Sequence, residues 1–137
     1  MVKIRNKIIA SGLVIVKDGK LLVSNDGKDS FFKIPGGKVK PEESLENCAI
    51  CELKEETGFG GRVLEKLSTL KLNKNPQTGE EMEIFLYHFQ GEIENFKNNF
   101  NSFEHSYHKI CWVEINKLNK EDVAPNITFL KEKGELK

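Results

Sequence analysis

Three glutamates fall within one short stretch, Glu52, Glu55 and Glu56, inside a segment from Ser44 to Thr57 that reads as a helix between Pro41-Glu42-Glu43 and Gly58. With Leu45 at zero and about 100° per residue, Ala49 (about 40°), Leu53 (about 80°) and Cys48 (about 300°) mark the core-facing stripe. Glu56 (about 20°) and Glu52 (about 340°) lie within that stripe, and Glu55 (about 280°) lies on its edge. Burying ionised carboxylates without partners costs several kcal/mol each, and spacings of i,i+3 and i,i+4 add repulsion. A hard divalent cation resolves both costs, because carboxylate oxygens suit Mg²⁺ or Mn²⁺. The competing reading is a partly covered helix whose glutamates reach solvent and pair with Lys38, Lys40 or Lys66.

The residues upstream favour the cation. Pro35-Gly36-Gly37-Lys38-Val39-Lys40-Pro41-Glu42-Glu43 reads as a glycine-bearing loop that runs into a helix N-terminus, where free amides and the helix dipole attract phosphate. Gly36 and Gly37 permit a close backbone approach to a ligand. A carboxylate-rich helix behind such a loop describes a site for metal-bound phosphate or diphosphate.

Strands predicted at Ile8–Lys17, Lys20–Asn25 and Phe31–Ile34 precede this loop, separated by Gly, Asp and Asn clusters. Beyond the helix, Arg62–Leu72 and Met82–Phe89 read as strands joined by a turn-rich loop through Pro76. The second is apolar on both faces and therefore central. Ile110–Ile115 adds a strand, Ile127–Lys133 a short closing helix, and Asn95–Asn101 a polar loop. The expectation is a mixed β-sheet with helices packed against it, formed as one domain over residues 1–137.

Composition excludes several classes. Lys plus Arg total 21 and Asp plus Glu total 21, so there is no net basic field for bulk nucleic acid or an anionic membrane. With 38% hydrophobic residues and no apolar run long enough to span a bilayer, a globular protein with no membrane partner is expected. Lys3, Arg5 and Lys7 before Ile8–Val16 imitate a secretion signal, but the β-branched run passes into the turn Lys17-Asp18-Gly19-Lys20 and reads as a strand. Three cysteines fit a reducing, cytoplasmic setting. Cys48-Ala49-Ile50-Cys51 spells C-x-x-C, yet in mid-helix, with only His88, His105, His108 and Cys111 as distant helpers, it reads as packing of buried thiols.

The segment Gly37–Phe59, GKVKPEESLENCAICELKEETGF, resembles the Nudix box of the Nudix hydrolases. That box runs Gly, five residues, Glu, seven residues, Arg-Glu-aliphatic-any-Glu-Glu, any, Gly, aliphatic. Gly37, Glu43, Glu52, Glu55, Glu56 and Gly58 stand in register, and Phe59 replaces the terminal aliphatic residue. The resemblance implies a single α/β/α sandwich and a pyrophosphohydrolase of nucleoside diphosphate-linked substrates. A nucleoside triphosphate or ADP-ribose is the leading substrate type, with Pro76 in a loop where ADP-ribose-cleaving relatives often carry a proline. It implies metal ligation by Gly37, Glu52, Glu55 and Glu56, with one of these glutamates, or a loop acid, activating water. Glu104 is the candidate loop acid, before the strand containing Trp112. Gly36, Gly37, Lys38 and Glu43 would bind phosphate or support the loop, and a homodimer is left open. Phe31, Phe32, Tyr87, Phe103 and Tyr107 are the candidates for a base-stacking residue, with core packing as the alternative. Cys51 stands where the family has arginine, whose planar fork orients the glutamates. The alternative implied is therefore a weakly active or inactive nucleotide-binding module.

Overall fold

The computed structural model describes residues 6–137, so Lys3 and Arg5 of the signal-like run lie outside the described residues. Its centre is the pairing of β1 (Lys7–Lys17) with β6 (Glu81–Ile93), a parallel ladder from Lys7 opposite Glu83 to Ile15 opposite Gly91. β1 turns through Asp18-Gly19, both at positive φ, into β2 (Lys20–Asn25), which pairs with β8 (His108–Glu114); β7 (Phe103–His105) closes that edge. β3 (Gly36–Lys38) pairs with β1, while β4 (Gly61–Lys66) and β5 (Leu70–Lys74) pair with β6.

Strand alternation divides the core between two faces. Leu13, Ile15 and Leu22 pack with Ala49 and Leu53 of α1 (Leu45–Thr57). Val14, Leu21 and Val23 pack with Ile127 and Leu130 of α2 (Pro125–Glu132). This is the expected α/β/α sandwich on a mixed sheet. α1 begins where the Ser44 hydroxyl accepts from the Asn47 N–H at 3.0 Å and ends at Gly58, whose φ of 81° suits a left-handed cap. Among the described residues no helix is long and apolar enough to cross a membrane.

Four element assignments differ from the sequence reading, one of them β7, where no strand is expected from the sequence. Phe31–Ile34 is not a full strand, since Phe32 and Lys33 make only isolated bridges, and the ladder starts at Gly36. The glycines are therefore strand residues, and a Cβ on Gly36 would lie 2.6 Å from the Ser11 carbonyl oxygen. Arg62–Leu72 is two strands, because the chain leaves the sheet at Leu67–Thr69 and re-enters lower on the same partner. β6 runs on past Phe89 to Ile93, a continuation marked in sequence by Gly91, which fits against Leu13. The nominally polar loop Asn95–Asn101 carries Phe96 and Phe100, which stack on Trp112 at centroid distances of 5.2 and 5.1 Å.

A Cβ at Gly91 would stand 2.6 Å from both the Arg62 carbonyl oxygen and Leu13 Cδ1. Gly91→Ala should therefore destabilise the protein by about 1–3 kcal/mol, read as a lowered Tm in thermal denaturation.

Candidate functional site

α1 presents its acidic residues to the sheet through its second half. Cys48, Ala49, Leu53 and Thr57 are buried, which rotates Glu52 and Glu56 to half-buried positions beside β3 and leaves Glu55 exposed. The wheel reading of two carboxylates in the stripe and one on its edge thus agrees with the geometry.

Glu56 is the most enclosed of the three. Its Oε2 accepts from the Gly36 N–H at 2.9 Å, its Oε1 accepts from the Ser24 hydroxyl at 3.2 Å, and it hydrogen-bonds the Glu52 carboxyl. Burial pushes its pKa up to about 8, with the nearby Glu52 charge adding to the rise against the two donors. Burial and then Glu55 likewise raise Glu52, while Lys40 opposes them. Glu52 lies directly over Gly37: a Cβ there would stand 2.6 Å from its carboxyl carbon, so only glycine leaves this space.

The resulting cleft, about 670 Å³, is lined by Glu52, Glu55 and Glu56 on one side and by Ser24, Asp26, Lys33 and Gly36 on the floor. His105, Ser106 and His108 from the β7–β8 hairpin form the other wall. His108 Nε2 stands 3.8 Å from Glu56 Oε1, with Nδ1 donating to the Ser106 carbonyl at 2.9 Å. Glu104 is not part of this lining. Glu104 pairs with Lys109 and His105 with His108 across the hairpin, so strand alternation places Glu104 on the opposite side from the histidines. The sequence reading puts Glu104 on a loop before the Trp112 strand, whereas the structure makes the segment a hairpin with the histidines facing the cleft; the His-x-x-His spacing across a two-residue turn is the signal for that facing.

The other expected phosphate contacts also divide. Gly36 lines the cleft and Gly37 sits under Glu52, but Lys38 is exposed and lines neither this cleft nor the adjoining cavity. The N-terminus of α1 is capped by Ser44 and is separated from Glu56 by the length of the helix, so it does not serve the cleft. Glu43 Oε1 accepts from the Lys40 N–H at 3.0 Å, within the loop that precedes α1. Cys51 is exposed rather than packed, and Cys48 is buried against the Gly37 carbonyl at 3.5 Å. Among the described residues no three His, Cys, Asp or Glu side chains form a ready-made metal cluster. The α1 side of the cleft nonetheless fits a hard cation, since Glu52, Glu55 and Glu56 offer oxygen donors, one of them a carboxyl that burial disfavours as an uncompensated anion.

A second, largely apolar cavity of about 520 Å³ adjoins the cleft and shares Lys33, Ile34 and Gly36 with it. Its walls include Leu72, Pro76, Ile84, Leu86, His88 and Asn126. Of the aromatic candidates, Phe31 and Tyr87 line it, whereas Phe103 packs on Phe59, Phe32 joins the α2 core and Tyr107 is fully exposed.

A family model described as NUDIX domain matches residues 6–132. A Bacillus subtilis protein provisionally named an 8-oxo-dGTP diphosphatase is 32% identical over 66% of this chain and 54% of its own. The CTP pyrophosphohydrolase of Escherichia coli is 24% identical over 82% of this chain and 79% of its own. The m7GpppN-mRNA hydrolase of Saccharomyces cerevisiae is 26% identical over 93% of this chain, which spans only 13% of that protein. A NUDIX hydrolase structure from Nitrosomonas europaea superposes with a TM-score of 0.74, covering 94% of this chain and 88% of that one at 18% identity.

A carboxyl whose pKa is raised by folding contributes stability that is complete below its ordinary value of 4.5 and is lost as pH rises through about 8. The metal-free protein should therefore lose Tm between pH 5 and pH 8, and Glu56→Gln should flatten that decline and gain a few degrees at pH 8. Differential scanning calorimetry in chelator across this range measures both; an unchanged slope in the variant would mean that Glu56 is ionised and solvated.

Proposed function

The chain belongs to the Nudix family, and from that premise we propose that it hydrolyses a pyrophosphate bond in a nucleotide, using a divalent cation held at the glutamates of α1. The observation that carries this reading is the junction of two unlike spaces: the acidic cleft and the apolar cavity meet at Lys33, Ile34 and Gly36. A nucleotide has the same two-part chemistry, an anionic phosphate chain joined to a flat, largely apolar base.

Glu52, Glu55 and Glu56, with the Gly37 carbonyl, are the groups that would hold Mg²⁺ or Mn²⁺. Bound there, the cation would neutralise phosphate oxygens and lower the pKa of a water. Glu56 is oriented by Gly36 and Ser24, so it is the member of the set whose position depends least on the metal. Lys33, paired with Asp29 at 2.7 Å, stands where the cleft opens into the cavity and offers a charge to the phosphate chain. The Bacillus and Escherichia relatives are named for 8-oxo-dGTP and CTP, both triphosphates, which favours a nucleoside triphosphate over ADP-ribose for this chain. Pro76 lines the apolar cavity, a position that suits either substrate.

One observation favours the second reading, a nucleotide-binding module with little turnover. Cys51 is exposed on α1, and Arg62, the arginine among the described residues, is committed to Glu92 on the neighbouring strand. Among the described residues the cations lining the cleft are Lys33 and Lys54, whose ammonium groups lack the planar fork of a guanidinium.

Nucleoside triphosphates and ADP-ribose screened with Mg²⁺ and Mn²⁺ should yield pyrophosphate or phosphate release that is lost in chelator and falls roughly 100-fold or more in Glu56→Gln. Tight binding without turnover would establish the module instead. Cys51→Arg should raise kcat roughly 10-fold with KM nearly unchanged, because its gain lies in orienting the carboxylates; a loss of activity would show a network already adapted to cysteine.

A further inference from the structure

The apolar cavity contains one polar construction that the hydrolytic chemistry does not use. His88 on β6 is 1% exposed yet fully hydrogen-bonded through its ring. Its Nδ1 lies 2.8 Å from the Ser68 carbonyl oxygen, which can only accept, so Nδ1 carries a proton and donates. Burial lowers the pKa of His88 and keeps the ring neutral, against the opposing effects of the Ser68 carbonyl and Glu135. In a neutral ring with a proton on Nδ1, Nε2 is an acceptor. Asn126 Nδ2, 3.1 Å away at the start of α2, therefore donates to it. Turning the amide over would set Oδ1 against the Nε2 lone pair, two acceptors face to face.

Ser68 is itself held in place: its N–H and its hydroxyl donate to the two carboxylate oxygens of Glu135. A line of four residues, Glu135, Ser68, His88 and Asn126, thus runs from the C-terminal segment to the cavity wall. Asn126 is half-buried, the hydrogen bond of its side chain is to His88, and both residues line the cavity.

We propose that His88 is a positioning residue for base recognition: it holds the Asn126 amide in one orientation, so that Oδ1 and the remaining amide hydrogen meet the edge of a nucleobase in fixed acceptor and donor order. This rests on assigning the apolar cavity to the base of a nucleotide. Adenine and hypoxanthine have the same shape but exchange donor and acceptor at position 6 and its neighbour, and cytosine and uracil do the same at position 4. A fixed amide discriminates within such a pair, whereas an amide free to turn accommodates both members.

The test is equilibrium binding of AMP against IMP, and of CMP against UMP, by calorimetry in chelator, where neither metal nor turnover enters. The parent should prefer one member of at least one pair by roughly 5–30-fold. His88→Leu should bring that ratio close to one, while His88→Gln, which places an acceptor near the Nε2 position, should keep most of it. Asn126→Ala, at a half-buried site, should collapse the ratio equally, and His88→Leu with Asn126→Ala should do no more than either change alone. A parent without preference, or a folded His88→Leu that keeps the parental ratio, overturns the proposal. Glu56-dependent hydrolysis with no base preference would retire this inference alone. Base preference without hydrolysis would support it and retire the hydrolytic reading.

Discussion

The carboxyl of Glu56 is the point at which three parts of the molecule meet. It projects from α1, takes a hydrogen bond from the backbone of β3 at Gly36 and another from Ser24 on β2. An acidic group in that place is costly when charged and alone, so the surroundings must supply either a proton or a cation. The remainder of the cleft follows from that requirement. Gly37 must lack a side chain for Glu52 to lie beside Glu56, and Gly36 must lack one for β3 to reach β1 closely enough to offer its amide.

The sheet supplies the rigidity on which this depends. Ser11 on β1 donates its hydroxyl to the Leu45 carbonyl at 2.6 Å, fixing the start of α1, while Leu53 and Ala49 seat its middle over Leu13 and Leu22. The helix is thus held at its N-terminus by a polar contact, along its length by packing and at its C-terminus by the Gly58 cap. The same strands carry the other face of the core, so α2 and the apolar cavity are placed relative to the cleft by the alternation of single residues along β1 and β2.

Much of this was legible in the residues themselves. β1 and β2 follow from β-branched runs around Asp18-Gly19, and the facing of α1 follows from its wheel, because the core and cap interactions there are local or periodic. What was not legible depends on contacts between distant segments. Gly36-Gly37 looks like a turn until the carbonyl of Ser11 is known to lie against it, and Leu67–Thr69 looks like strand until Glu135 draws Ser68 away from the ladder. Glu104 and the histidines differ only by which side of a hairpin faces α1, a choice set by packing of Phe103 on Phe59. His88 and Asn126 carry no motif at all, since their relation exists only once β6 and α2 are side by side.

The parallel ladder of β1 and β6 sets an order on how this molecule can come into being. Ile8 finds its partner in Ile84, so the central pairing closes a loop that contains β2, β3, α1, β4 and β5, and such long-range closure is slow compared with hairpins and helices. The glutamate segment and both glycines are synthesised well before the strand that stabilises the sheet beneath them. The apolar cavity waits longer still, because residues 123–126 and Glu135 come near the end of the chain. During synthesis the β7–β8 hairpin that completes the cleft therefore emerges before residues 123–126 that complete the cavity, and the two spaces share Lys33, Ile34 and Gly36.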